Sequence, residues 1–257
     1  MQQFLSRFSL IAGLFGVALT IGFLFEVEAA QQIFPWSLSH LSSIFLASIF
    51  GALSAPVLWI GYKQEIAAAV GGAINLSVTY LGMAIFCFQL YFADTSRHAI
   101  LIFAIACSLL LIGCIVLYFI TRNFEFTDQK QMPAAVRYSF MGFAFVLLVA
   151  GTALILKTPN IFPWALSEEL RVLYGWIFLG AMFYFIYGAW KPYWGNAQGQ
   201  LVGFLIYDLI LIIPFIQHFS NVADEMRLSL IIYICVLIYS GLLAAYFLFI
   251  NRETKFF

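Results

Sequence analysis

Eight long apolar stretches dominate the chain and restrict its fold more than any other feature. They cover approximately residues 8–26, 41–62, 66–92, 99–121, 138–156, 169–190, 199–219 and 227–250. A helix needs roughly 20 apolar residues to cross a bilayer, where every backbone polar group must be hydrogen-bonded within the protein. Charged residues make up only 9% of the chain, against about 25% in soluble domains. We therefore predict an all-α integral membrane protein with eight transmembrane helices.

A seven-residue segment occurs twice, at positions separated by about half of the chain. Residues 33–39 read IFPWSLS and residues 161–167 read IFPWALS, a shift of 161 − 33 = 128 residues. Residues other than the common apolar types recur at the same shift. They include the pairs Lys63 and Lys191, Gly71 and Gly199, Cys107 and Cys235, and Asn123 and Asn251. Such self-similarity is typical of duplicated units, so we predict two four-helix repeats, residues 1–128 and 129–257, within one membrane domain.

The even number of helices in each repeat predicts that both repeats enter the membrane in the same direction. Parallel repeats are related by an axis along the membrane normal, unlike the inverted repeats of many transporters. With a cytoplasmic N-terminus, eight of the 12 basic residues lie on the cytoplasmic side, where basic residues are generally enriched. These are Arg7, Lys63, Arg122, Lys130, Arg137, Lys191, Arg252 and Lys255. We therefore predict that both termini are cytoplasmic.

Both copies of the repeated segment are then on the external side, each before a predicted helix. Proline cannot continue a helix because it lacks an amide hydrogen, and tryptophan prefers the membrane–water interface. Ser39 and Ser167 are expected to accept hydrogen bonds from the first free amides of the following helices. We interpret the segment as an interfacial anchor, with paired lips of an external pocket as the alternative. The residues of this interfacial motif are Phe34, Pro35, Trp36, Phe162, Pro163 and Trp164.

The Pro-Trp-x-Leu-Ser pattern at residues 35–39, with its second copy at residues 163–167, resembles a segment of uncharacterised multi-pass bacterial membrane proteins. In those proteins a Pro-Trp-x-Leu-Ser/Thr segment precedes a membrane helix. The resemblance covers only this segment and its immediate surroundings in each repeat. It implies a location in the bacterial inner (plasma) membrane, and it implies no activity.

Asp208 is the polar residue that most needs a physical explanation. It lies near the middle of the seventh apolar stretch, where an unpaired charge costs about 2.5–3.5 kcal/mol. Its counterpart at the 128-residue shift is Tyr80, so only one repeat has the acid. Asp208 is either a proton-carrying or cation-coordinating group, or a neutral carboxyl that joins two helices. The other candidates for a ligand or ion pathway are Tyr207, Asn75, Tyr80 and the helix-bending Pro214.

Signatures of catalysis and of cofactor binding are missing from the sequence. We find no zinc-protease, phosphate-loop or nucleophile-elbow pattern, and we predict no catalytic residues and no metal site. His40, His98 and His218 lack the spacing of a haem-binding pair, which disfavours a tetrapyrrole on them, and we predict no cofactor. The formal net charge is zero, and without a basic run nothing indicates nucleic acid as a partner.

Three functions are compatible with these features. Our main prediction is a non-catalytic accessory, scaffold or lipid-binding subunit of a membrane complex, because the loops are short and buried polar groups are few. Its expected partners are membrane lipids and other membrane protein subunits. The first alternative is a small proton- or cation-coupled transporter that uses Asp208. The second is a membrane-embedded enzyme acting on a lipid or quinone, which the absence of a paired acid and base disfavours.

Overall fold

A computed structural model describes residues 1–255, and these residues form an all-helical fold with eight helices able to span a membrane. The predicted fold class is therefore confirmed. The spanning helices are α1 (Gln2–Leu24), α3 (His40–Lys63), α4 (Ala69–Ala93), α5 (His98–Thr121), α6 (Ala134–Ile155), α7 (Glu168–Trp190), α8 (Trp194–His218) and α9 (Asp224–Ala245). A short helix α2 (Glu28–Gln31) follows α1, a 3₁₀ turn (Ile66–Ala68) precedes α4, and a π-helical turn (Tyr246–Ile250) continues α9.

Three helices begin earlier than the apolar stretches predict. Helices α1, α6 and α8 begin at Gln2, Ala134 and Trp194, whereas the apolar stretches begin near residues 8, 138 and 199. The added turns contain polar residues such as Arg137 and Gln198. Glutamine and arginine have good helix propensity, so the helix continues beyond the part that is apolar enough to be recognised by composition.

Four inner helices form the centre of the bundle, and one outer helix packs on each of them. Helix α3 packs along α8, and α4 packs along α7. The outer helices α1, α5, α6 and α9 pack on α3, α4, α7 and α8, respectively. The most buried of the eight are α3 and α7. The outer helices carry most of the exposed apolar side chains, as expected for surfaces that face lipid.

Several contacts between the inner helices recur at residue numbers related by the 128-residue shift. Gly199 on α8 lies against the Trp59 ring of α3, where an added Cβ atom would be 2.9 Å from the ring. The shifted pair, Gly71 on α4 and Tyr187 on α7, meets in the same way and also at 2.9 Å. Small residues let membrane helices approach closely. The two parallel repeats stay a prediction, and residues 256 and 257 of the second one lie outside the described part.

The starts of α3 and α7 have the predicted hydrogen-bonded caps. The Ser39 hydroxyl accepts a hydrogen bond from the Ser42 amide at 3.3 Å, and the Ser167 hydroxyl accepts one from the Leu170 amide at 3.3 Å. Each cap satisfies one of the free amide groups at a helix N-terminus. The repeated segment therefore ends in a helix start at both of its positions.

Glu65, which the sequence analysis did not identify, fixes the connection between the two halves of the chain. Its side chain is buried, with 3% of its surface exposed, in the turn between α3 and α4. Its two carboxylate oxygens accept hydrogen bonds from the amides of Thr127 at 2.8 Å and Asp128 at 3.1 Å. Hydrogen bonds to a carboxylate are stronger than those between neutral groups. Residues 122–133 are therefore fastened to the first half of the bundle.

Candidate functional site

A cavity of about 1350 Å³ lies among the helices. All eight spanning helices contribute to its wall, together with Phe34 and Ile161 from the two copies of the repeated segment. Most of the lining side chains are aliphatic or aromatic. Pockets for small molecules typically have about 300–1,000 Å³. This cavity is larger than such a ligand needs, and its wall is mainly apolar.

The cavity reaches the outer surface of the bundle at the outer helices. Phe15 on α1, Ile102 on α5, Phe145 on α6 and Leu228 on α9 all line it. Between 66% and 68% of each of these side chains is exposed. Within residues 1–255, α1 does not pack along α5, and α6 does not pack along α9. The cavity is therefore accessible from the sides that face lipid.

Helices α6 and α9 are in contact near the start of α6 and the end of α9. Near the end of α6 and the start of α9, the cavity lies between them. The hydroxyl oxygens of Ser139 on α6 and Tyr239 on α9 are 2.7 Å apart, and the Phe143 ring lies beside the Tyr239 ring. Towards the opposite ends of the same helices, Ala153 and Leu228 both line the cavity. This separation forms a lateral opening.

Four tyrosines are among the polar residues of the wall. The hydroxyl oxygens of Tyr207 and Tyr233 are 3.0 Å apart and share a hydrogen bond. Tyr80 and Tyr184 also line the cavity, and within residues 1–255 their hydroxyl groups have no hydrogen-bond partner. Neither hydroxyl oxygen is among the fully enclosed polar atoms of the protein. Both hydroxyls are therefore available to a ligand in the cavity.

Amide and charged groups are few in the wall. Asn75 and Gln200 line the cavity and are buried, and the Gln200 amide nitrogen donates to the Tyr184 carbonyl at 3.2 Å. Of the wall residues in the described part of the chain, none is Lys, Arg or His, and Glu225 is the one with a formal charge. A charged ligand group inside the cavity would find no oppositely charged partner near its centre.

Asp208 lies beside the cavity and not in its wall. Only 4% of its side chain is exposed, and its Oδ1 accepts a hydrogen bond from the Ser240 hydroxyl of α9 at 3.0 Å. Its Oδ2 has no partner among the described residues, and it faces Gly241, where an added Cβ would be 3.4 Å away. Ser240 itself lines the cavity. The carboxyl group thus joins α8 to α9.

The other predicted pathway residues have different positions. Asn75 and Tyr80 on α4 line the same cavity as Tyr207 on α8. Pro214 lies inside α8 and is not one of the wall residues. The sequence analysis did not identify Tyr184, whose aromatic surroundings are common throughout this chain.

The two copies of the repeated segment have different environments. The Trp36 indole N–H donates to the Glu169 carboxylate, which also forms two 2.7 Å hydrogen bonds with Arg97. This carboxylate raises the pKa of the Arg97 guanidinium. Trp164 is buried, and its indole N–H donates to the Ser42 hydroxyl at 3.0 Å. The first copy therefore contacts the ion pair between Arg97, just before α5, and Glu169 on α7, whereas the second belongs to the core.

The remaining motif residues and histidines make local contacts. Phe34 and Pro35 line the cavity, and Phe162 is buried in the core. The Pro163 carbonyl oxygen is 2.9 Å from Nε2 of His218, which donates to it in the tautomer that carries a proton there. Among residues 1–255, no cluster of three His, Cys, Asp or Glu side chains could hold a metal ion.

Comparisons of the chain with protein-family models, curated proteins and solved structures found no match. The eight apolar helices define the class, which is a multi-pass membrane protein. The resemblance of the Pro-Trp segments to bacterial membrane proteins stays a prediction.

Proposed function

We propose that this protein binds a membrane lipid without catalysing a reaction, and that the hydrocarbon chains of the lipid occupy the cavity. The observation that carries the proposal is an apolar space of about 1350 Å³ among the spanning helices. The openings beside α1 and α6 give a lipid a route from the bilayer. A hydrocarbon chain of a lipid that enters this way moves from one apolar environment to another. It exposes no polar group on the way.

The energy of an unfilled cavity supports this proposal. An empty apolar space is unfavourable, because the side chains that line it lack contact partners on that side. Water is a poor substitute, because each buried water needs two to four polar partners. Hydrocarbon therefore suits this apolar wall better than water does, and better than an empty cavity.

Filling the cavity with side chains should displace the lipid. We expect the double variant Ala150→Phe/Ala181→Phe, in which both positions line the cavity, to lower bound lipid by about fivefold or more, because the rings occupy its volume. Native mass spectrometry of the protein released from mild detergent would measure the lipid bound per chain.

The matched control is Ala18→Phe, which adds the same ring to an exposed position of α1 outside the cavity wall. We expect this variant to retain the lipid. Equal lipid content in wild type, control and double variant would contradict binding in the cavity.

A second candidate is a proton-coupled transporter, which is favoured by the buried and unpartnered Oδ2 atom of Asp208. Two observations make it the weaker candidate. Asp208 does not line the cavity, and its other carboxyl oxygen already accepts a hydrogen bond from Ser240. A proton pathway normally needs further ionisable groups inside the membrane.

Proton flux separates the two candidates. In liposomes that contain a pH-sensitive dye and carry a potassium diffusion potential, lipid binding predicts no flux above that of empty liposomes, for wild type and for Asp208→Asn. Asparagine retains an oxygen that can accept from Ser240, so this variant should fold. Flux in the wild type that Asp208→Asn abolishes would instead support transport.

The cellular setting also belongs to this proposal. We place the protein in the bacterial plasma membrane, as the resemblance of its Pro-Trp segments implies, with both termini in the cytoplasm. The eight basic residues expected on the cytoplasmic side, against four outside, support this orientation. The exposed apolar side chains of the outer helices suit contact with lipid or with the helices of other subunits.

A further inference from the structure

We infer that the bound lipid is uncharged and presents carbonyl oxygens, which accept hydrogen bonds from Tyr80 and Tyr184. This inference rests on the proposed lipid-binding function and defines the class of lipid. Esters of glycerol and isoprenoid quinones are two sources of the same chemistry.

The cavity wall contains hydroxyl hydrogens that no acceptor of the described chain uses. Tyr80 and Tyr184 each have a hydroxyl hydrogen without an acceptor among residues 1–255. The Tyr207 and Tyr233 pair uses one of its two hydroxyl hydrogens in the bond between them, which leaves the other free. A polar group without a partner in an apolar surrounding is unfavourable. A ligand with acceptor oxygens relieves this cost.

The described part of the cavity wall has no positively charged side chain. Among the cavity-lining residues of the described chain, there is no Lys, Arg or His. A phosphate or carboxylate group inside the cavity would lose its hydration without gaining an ion pair, which is costly in a membrane interior. The lipid head group inside the cavity is therefore neutral.

The acidic residues are also poorly placed for a cationic lipid. Glu225 is the second residue of α9, and Asp208 is outside the wall and turned towards Gly241. Within the described wall, a cationic lipid would therefore find no carboxylate other than that of Glu225. Tyrosine hydroxyls and apolar surface together suit a neutral polar end attached to long hydrocarbon chains.

A pair of matched ligands tests this assignment. Dioleoylglycerol has two ester carbonyl groups, and its dioleyl diether has the same chain length and no carbonyl. We expect the wild type to bind the ester about tenfold more tightly. The double variant Tyr80→Phe/Tyr184→Phe should weaken ester binding by about threefold for each hydroxyl removed, about tenfold in all, and leave diether binding unchanged.

Phenylalanine keeps both rings and therefore the shape of the cavity. Tyr62→Phe serves as the control, because Tyr62 is exposed and outside the cavity wall, and it should bind both ligands as the wild type does. Native mass spectrometry with each ligand added would provide the affinities.

The outcomes separate this inference from the proposed function. If neither ligand binds to the wild type, lipid binding itself is wrong. If both bind equally, or if the preference for the ester survives in Tyr80→Phe/Tyr184→Phe, lipid binding stands and the carbonyl assignment is wrong.

Extraction of the lipid that copurifies with the protein would show whether its carbonyl groups belong to a glycerol ester or to an isoprenoid quinone. An acylglycerol is recognised by its mass and a quinone by ultraviolet absorbance that changes on reduction, and either one supports the inference. A charged phospholipid that the Ala150→Phe/Ala181→Phe variant releases would overturn it.

Discussion

Replacement of Glu65 by alanine is expected to lower the free energy of unfolding by about 2–3 kcal/mol, because two amide groups lose a carboxylate acceptor. These amides belong to Thr127 and Asp128, in the connection between the two halves of the chain. The Glu65 side chain is 3% exposed, so its removal also leaves unfilled space. Thermal unfolding of the detergent-solubilised protein would measure the loss.

Limited proteolysis adds a local measurement. Lys130 lies in the same connection and is exposed, so trypsin should cleave there faster once Glu65 no longer fastens the segment. Glu65→Gln keeps one acceptor oxygen and should have an intermediate effect. Glu125→Ala removes an exposed glutamate of the same connection and should change neither quantity. A Glu65→Ala protein as stable as the Glu125→Ala protein would contradict the anchoring role.

Gly180→Ala is expected to destabilise the crossing of α4 and α7 by about 1–3 kcal/mol, the range measured for overpacked cores. An added Cβ would lie 2.0 Å from the Thr79 hydroxyl oxygen and 2.6 Å from the Asn75 carbonyl oxygen. The hydroxyl can rotate away, but the carbonyl belongs to the backbone, so α4 itself must shift. The midpoint of thermal unfolding should fall accordingly.

Gly72→Ala on α4 is the matched control, because nothing lies within 4 Å of the added Cβ at that position. Alanine has the higher helix propensity by about 1 kcal/mol, so this variant should be as stable as the wild type or more stable. If both glycine variants unfold at the same temperature, close packing at Gly180 does not hold the two helices together.

The number and approximate positions of the spanning helices could be predicted from sequence, because apolar length reports directly on the ability to cross a bilayer. The helix starts at His40 and Glu168 were predictable for a separate reason, since Ser39 and Ser167 have the chemistry of helix caps. The early starts of α6 and α8 were not predicted, because their first turns are polar and composition alone does not distinguish such turns from loops.

The candidate site could be predicted only in part, because it depends on which helix faces meet. Asp208 was the most prominent residue in the sequence, yet it lies outside the cavity wall. Tyr184 was inconspicuous among 13 tyrosines, yet it lines the cavity, and its hydroxyl has no hydrogen-bond partner among the described residues. Helix contacts in membranes depend on small residues and local shape, and an apolar sequence with little periodicity does not define them.

The importance of Glu65 could not be predicted either, for a different reason. An acid beside Lys63 between two apolar stretches is typical of a short exposed turn. Its burial arises from the amides of Thr127 and Asp128, which are more than 60 residues away in the chain. Only the folded structure brings these groups together.

Cryo-electron microscopy of the protein in lipid nanodiscs would test cavity binding most directly. Lipid binding predicts elongated density within the space enclosed by the eight helices, with its polar end beside the hydroxyls of Tyr80 and Tyr184. The same density should be absent from the Ala150→Phe/Ala181→Phe variant. A wild-type map in which the outer helices close onto the inner ones, or in which the space contains only separate water peaks, would contradict the proposed function.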